Sequence, residues 1–211
     1  MFVKKIISYF YPIIIQKYSS KYNGVLELSL QNGQLVVDSK NANYSYGSLH
    51  KLFRKVIEEF TFKNENNDVL ILGFGAGSIA TILCKEQKID CHIDGVEIDN
   101  AMLQIYNEHF KIEGAELQLF IQDAILYLTN SPKKYDYIFI DLFSDLKVPN
   151  KFTQQNFLNL VKKVSKPTTQ IAMNTIDNSQ FEQVWVEAFG NKAYVEHYFS
   201  LNTVLFSAPK K

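Results

Sequence analysis

The chain has 211 residues, 46% of them hydrophobic and 21% charged. That is enough for one α/β domain with a small appendage, and the composition is that of an ordinary globular protein. Lysine plus arginine balances aspartate plus glutamate at 22 each, so no charge excess points to nucleic acid as a partner.

The N-terminus, from Met1 to Ile15, carries Lys4 and Lys5 ahead of an apolar run, as a signal peptide would. Pro12 interrupts that run, and Gln16 to Tyr22 offers no small-x-small cleavage site. The run is also too short to span a bilayer, so no transmembrane segment is expected. It reads as a segment packed on the domain or on a second subunit, which would make a homodimer, in preference to a membrane surface. The two cysteines, Cys84 and Cys91, fit a reducing compartment, and the cytoplasm is the expected location. They make no metal motif with the four histidines, and each reads as a small buried hydrophobe.

Leu26, Leu28 and Leu30 alternate with Glu27 and Ser29, which predicts a half-buried strand. Asn32-Gly33 is a strong hairpin signal, and Leu35 to Val37 is the return strand. Asn41 to Tyr46 reads as a polar loop. From Ser48 the spacing of Leu49, Leu52, Phe53, Val56, Ile57 and Phe60 predicts a helix with one buried face. Residues 1–47 are therefore expected as an N-terminal segment and β-hairpin, and 48–211 as a Rossmann-like domain.

Asp68 to Leu72 predicts a buried strand that runs straight into Gly73, Gly75 and Gly77. Glycine lets backbone pass close to a ligand, and a helix over Ser78 to Cys84 would add its N-terminal N–H groups. Beyond this point strands and helices alternate. Strands are expected over His92–Glu97, Leu117–Ile121, Tyr135–Ile140 and Thr169–Met173. Helices are expected over Asn100–Phe110 and Phe152–Val164, with another around Phe181 to Phe189. Two closing strands follow at Ala193–Leu201 and Thr203–Ser207. Repeated βα units require a mostly parallel sheet with helices on both faces, and ligands sit beyond the carboxyl ends of its strands.

Glu97, Asp99, Asp123, Asp141 and Asp145 all fall at that edge. Together they suggest a site for a cation or for hydroxyl groups, although each alone could cap a helix. Glu97 lies 20 residues after Gly77, where a carboxylate suits a ribose diol. A dinucleotide site would share that feature, but its fingerprint wants a third small residue where Ser78 stands. Leu142 to Lys151 reads as a lid or as a long βα connection.

The turn Gly73-Phe-Gly-Ala-Gly77, Val96-Glu-Ile-Asp99, Gln122-Asp-Ala124, Ile140-Asp-Leu-Phe-Ser-Asp145 and the hairpin before Tyr44-Ser-Tyr-Gly47 carry a resemblance. The chain resembles the spermidine synthase-like family within the class I S-adenosylmethionine-dependent methyltransferase fold, from about Tyr22 to Ala208. The resemblance implies a seven-stranded, mostly parallel sheet and a cofactor that is S-adenosylmethionine or its decarboxylated form. It implies that Glu97 holds the ribose, that Ile98 packs on the adenine, and that Asp123 and Ala124 meet its amino edge. Asp141 would face the sulfonium and a small-molecule acceptor, an amine, as candidate base. Tyr46 and Asp145 would lie on the substrate side. The chain departs from the family at Ala76, where the family has the aspartate that binds the aminopropyl ammonium. Gly47-Ser48 replaces its His-Glu. The methyltransferase acidic position before the first glycine is Ile71. Two readings follow: a transferase moving an aminopropyl or methyl group, and a nucleoside-binding or structural protein that kept the fold without the chemistry.

Overall fold

The computed structural model describes residues 2–39, 43–143, 147–176, 179–198 and 202–208. Helix α1 (Phe2–Ile7) leads into a four-stranded antiparallel sheet. Its strands are β1 (Ile13–Ser20), β2 (Gly24–Gln31), β3 (Gln34–Asp38) and β4 (Asn43–Ser45), in that spatial order. Between β2 and β3, Asn32 and Gly33 take φ of 49° and 76°, as a two-residue primed turn requires.

The expected hairpin thus gains an edge strand on each side. Alternation does not reveal β1, because a bulge between Ile14 and Gln16 breaks it and only Tyr18 and Ser20 of the strand are buried. On the other edge β4 corrects the expected loop over Asn41–Tyr46, since it pairs with β3. The apolar N-terminal run divides between α1 and the start of β1. Its foothold is Ser8, whose carbonyl accepts from the Asn32 N–H (2.8 Å) and whose Oγ accepts from the Gly33 N–H (2.9 Å). Phe10 and Tyr11 beyond it remain 76% and 74% exposed. No helix among the described residues is long and apolar enough to cross a membrane.

The remaining elements are α2 (Gly47–Glu58), β5 (Asn67–Leu72), α3 (Ser78–Thr81), β6 (Cys91–Glu97), α4 (Asn100–Ile105), β7 (Glu116–Ile121), α5 (Ala124–Asn130), β8 (Tyr135–Ile140), α6 (Gln155–Lys163), β9 (Ser165–Ile176), α7 (Ser179–Phe189), β10 (Ala193–Tyr198) and β11 (Asn202–Ser207). They build a seven-stranded sheet of order β10-β11-β9-β8-β5-β6-β7. Strands β5 to β9 run parallel, and β11 is antiparallel to both β9 and β10.

Successive residues of β5 point to opposite faces and both faces are covered, so the strand reads as one apolar run. Val69 and Ile71 pack with Leu52, Phe53, Val56 and Ile57 of α2. Leu70 and Leu72 pack on the other side with Leu128, Leu158, Val161 and Trp185, from α5, α6 and α7. Each such side chain, fully buried, contributes roughly 1.5–3 kcal/mol. The N-terminal sheet presents Tyr18, Leu26, Leu28 and Val37 to Ala101, Met102 and Ile105 of α4.

Three expected helices differ in detail. α3 and α4 each continue into a wider π-helical turn, Ile82–Glu86 and Tyr106–Phe110. α6 begins at Gln155, and Phe152 belongs instead to a separate 3₁₀ turn, Asn150–Phe152.

Candidate active site

β5 ends at Leu72 and the glycine turn begins. Gly73, Gly75 and Gly77 take φ of 83°, 56° and 88°, a region that favours glycine. A Cβ on Gly73 would lie 2.1 Å from the Asp141 carbonyl oxygen, and one on Gly77 would lie 2.7 Å from the Tyr106 ring. The Asp141 N–H in turn donates to the Leu72 carbonyl (2.8 Å), so the ends of β5 and β8 are drawn tightly together.

The turn's amides are largely spent inside the protein. Gly73 and Phe74 both donate to the Val96 carbonyl (2.9 and 3.0 Å), and Gly77 donates to Phe74 (3.1 Å). The Gly75 N–H donates to Glu97 Oε2 (2.8 Å). A diphosphate cradle needs such groups free, so the geometry suits a nucleoside better than a dinucleotide.

Glu97 is buried at the end of β6. Its second oxygen accepts from the Asp99 N–H (2.9 Å). Burial raises its affinity for a proton, and the Asp99 and Gly75 amides only partly offset that. Asp141, at the end of β8, is half-buried because its side chain faces a cavity. Desolvation pushes its pKa up to about 7, with the Glu97 charge adding to the rise and a hydrogen bond from Asn174 opposing it. That bond runs from Asn174 Nδ2 to Asp141 Oδ1 (2.9 Å). Asn202 Nδ2 donates to Asn174 Oδ1 (3.1 Å), which fixes which end of the Asn174 amide faces the carboxylate.

These groups share one cavity of about 420 Å³. Gly73, Gly75, Glu97 and Ile98 line it, as do Asp123, Ala124 and Asp141. Other expected residues do not meet there. Gly77 sits behind the cavity against Tyr106. Tyr46 does not line it either: its ring stacks between His50 and Phe110, at centroid distances of 5.1 and 4.3 Å, and its hydroxyl meets Thr81 Oγ1 (3.0 Å). Asp145 lies outside the described residues.

The acidic edge also divides by role. Asp99 caps α4 through the Ala101 N–H (3.0 Å) and receives Ser20 Oγ (2.5 Å) and Asn23 Nδ2 (2.8 Å). It bolts the N-terminal sheet to the domain and is not among the cavity residues. Asp123 caps α5 through the Ile125 N–H (2.8 Å) while its other oxygen holds Lys151 Nζ (2.6 Å). Burial works to raise its pKa, but Lys151 and the capping amides outweigh it and hold the carboxyl below its ordinary range.

Sequence reasoning missed Tyr22 and Asn23, which reach the cavity from the β1–β2 connection, and also Lys151, Asn174 and Asn202. Asn174 lies near the carboxyl end of β9, so the strand-end rule that found Asp141 could have found it. Nothing local marks Tyr22 or Asn23.

The family model described as the spermine/spermidine synthase domain matches residues 55–208. The chain belongs to that family. It is 32% identical over 116 residues to a probable polyamine aminopropyl transferase of Bifidobacterium longum, covering 54% of this chain and 26% of the relative. It is 28% identical over 141 residues to the polyamine aminopropyltransferase of Alkaliphilus metalliredigens, covering 64% and 48%. The chain thus spans about a quarter to a half of these curated relatives. Among solved structures it is similar to a probable spermidine synthase from Corynebacterium glutamicum, with TM-score 0.76 and 16% identity over 94% of this chain and 81% of that one. The class I methyltransferase-like fold is therefore the fold of this chain. Within this spermine/spermidine synthase domain, Ala76 is fully buried in the apolar cluster with Tyr18, Leu26 and Met102. No carboxylate stands at the position where the resemblance expects one for an aminopropyl ammonium.

Proposed function

We propose that the chain is an adenosyl-sulfonium-dependent transferase that moves an alkyl group, aminopropyl or methyl, to a small nucleophile of the amine class. The observation that carries this reading is Asp141, a cavity carboxyl with its pKa pushed up to about 7 beside Glu97. Its curated relatives include polyamine aminopropyltransferases, which supports group transfer as the chemistry.

The cofactor is S-adenosylmethionine or its decarboxylated form, and the residues suit it. Each Glu97 oxygen keeps acceptor capacity beyond the backbone N–H it already takes, enough for a ribose diol. Ile98 offers the adenine an apolar face, while Asp123 and Ala124 meet its amino edge. Bound, the sulfonium supplies an electrophilic carbon and a neutral thioether leaving group. Asp141 does the protein's share of the chemistry. Ionised, it offsets the cation; it then takes the proton that the acceptor nitrogen gives up. Asn174 already donates to Oδ1, which leaves Oδ2 the more basic oxygen to receive it. Closely held reactants supply much of the remaining rate.

Titration calorimetry with both sulfonium compounds, then mass spectrometry of a panel of amines incubated with each, tests this. Binding without transfer to any amine would favour the second reading, a nucleoside binder that retained the fold, for which Ala76 already speaks. Binding of neither compound would overturn both.

A further inference from the structure

The chain has two cysteines, and the fold brings them together away from the cavity. Cys84 Sγ and Cys91 Sγ lie 3.9 Å apart. Cys84 sits in the π-helical turn Ile82–Glu86 that extends α3, and Cys91 opens β6. The short connection between them is a tight reversal. Gln87 donates to the Ile82 carbonyl (2.9 Å), Lys88 takes a φ of 53°, and Ile89 donates to the Leu83 carbonyl (2.9 Å). This reversal carries the first residue of β6 back beside the wide turn.

We propose that Cys84 and Cys91 are a reversible dithiol–disulfide site, with Cys84 as the attacking thiol and Cys91 as the resolving one. Their environments differ in the way this division needs. Cys84 is half-buried, whereas Cys91 is 7% exposed. The hydrogen bond between the two thiols, in which either sulfur can donate, lowers the Cys84 pKa, burial works against that, and the Lys85 charge helps; Cys91 is pushed the other way. The thiolate is the nucleophile, so reaction begins at the residue that reagents can reach.

With a hydroperoxide as oxidant the chemistry balances. The Cys84 thiolate attacks an oxygen of the O–O bond, which breaks, leaving a sulfenic acid on Cys84 and releasing an alkoxide or hydroxide that takes up a proton. The Cys91 sulfur then attacks the sulfenic sulfur. The S–S bond forms, the hydroxyl leaves, and it departs as water with the Cys91 proton. Two thiols have lost two electrons and two protons, and the peroxide has been reduced by the same two electrons. A small dithiol reverses the reaction by exchange. Closing the pair requires the sulfurs to approach from 3.9 Å to roughly 2.05 Å. The bond would tie the helix that leaves the glycine turn to the strand that ends in Glu97.

The full chain treated with hydrogen peroxide, and separately with glutathione redox buffers, tests this by intact mass and thiol titration under native conditions. The expected product has lost two hydrogens, titrates no free thiol, stays monomolecular in its linkage and returns to two thiols with dithiothreitol. Peptide mapping should join the segments that hold residues 84 and 91. Cys91→Ser should stop at a sulfenic acid on Cys84 that a dimedone probe captures, while Cys84→Ser should leave Cys91 unreacted. Two free thiols after treatment, oxidation of Cys84 to the sulfinic acid with Cys91 untouched, or a link between two chains would each overturn the proposal.

Discussion

A carboxyl that half-ionises near neutrality responds to pH where a surface aspartate does not. Asp141 binds its proton up to about 7 in the folded chain, against an ordinary value of 3.8. Between those values the folded state holds more protons than the unfolded one. This group's contribution is therefore fully present below the lower value, falls as pH rises through the window from about 4 to 7, and levels off above it. Asp141→Asn removes the dependence, so its melting temperature should exceed the parent's at pH 8 and approach it at pH 5. A cation binds the ionised form, so affinity for an adenosyl sulfonium should rise from pH 5 to 8 in the parent and stay flat in the variant. Turnover should fall roughly 10²–10⁴-fold, the range for losing a general base. Equal turnover in both, at any pH, would remove Asp141 from the chemistry. Glu97 has a different part. Glu97→Gln keeps its size but loses the charge and one acceptor, and calorimetry should show sulfonium affinity down roughly 10- to 100-fold. Unchanged affinity would place the ribose elsewhere. The position of both residues at the cavity was legible in the sequence, because each ends a buried strand beside the glycine turn. Tyr46 was not. Its ring is held between His50 and Phe110, and the stacking on Phe110, far along the chain, leaves no local mark.

At the scale of elements, the parallel strands were legible because burial on both faces writes a continuous apolar run into each. β1 was not, since its bulge destroys the two-residue period and most of its side chains face outward. Nor were the π-helical turns, which share their residue preferences with ordinary helix. Asp99 is one of five acids at the strand-end edge, each of which could also cap a helix; hydrogen bonds from Ser20, Asn23 and the α4 amide give it that mechanical role. Two glycines, one in the glycine turn and one before β7, separate packing from backbone strain. Gly77 and Gly114 both take positive φ, 88° and 75°, but a Cβ at 77 meets the Tyr106 ring at 2.7 Å while one at 114 meets nothing within 4 Å. Gly114→Ala should cost about 1 kcal/mol, the strain alone. Gly77→Ala should cost about 2–4 kcal/mol, with overpacking added. Chemical denaturation of both variants reads the difference, and equal losses would show that Tyr106 yields freely.

At the scale of the whole molecule, the small sheet and the large one meet at the residues that frame the cavity. Tyr22 and Asn23 come from the β1–β2 connection of the first, and Glu97, Asp123 and Asp141 from the strand ends of the second and the residues just beyond them. The turn between them carries Ala76 in an apolar cluster. In competition at equal concentration, the decarboxylated sulfonium should therefore show little or no preference over S-adenosylmethionine. Strong selection of the decarboxylated compound, with aminopropyl transfer to putrescine, would mean that another group supplies the missing carboxylate.

The order of the large sheet has a consequence for the moment at which this protein becomes competent during its synthesis. Strand β11 comes after β10 in the chain yet lies between β10 and β9. Until residues 202–207 leave the ribosome, β9 has an open edge and β10 has no neighbour in the sheet. Asn202, which orients Asn174 against Asp141, belongs to that late strand. A nascent chain can close its glycine turn and seat Glu97 long before then. The carboxylate at Asp141 therefore waits for β11 to fill its gap before Asn174 is held against it.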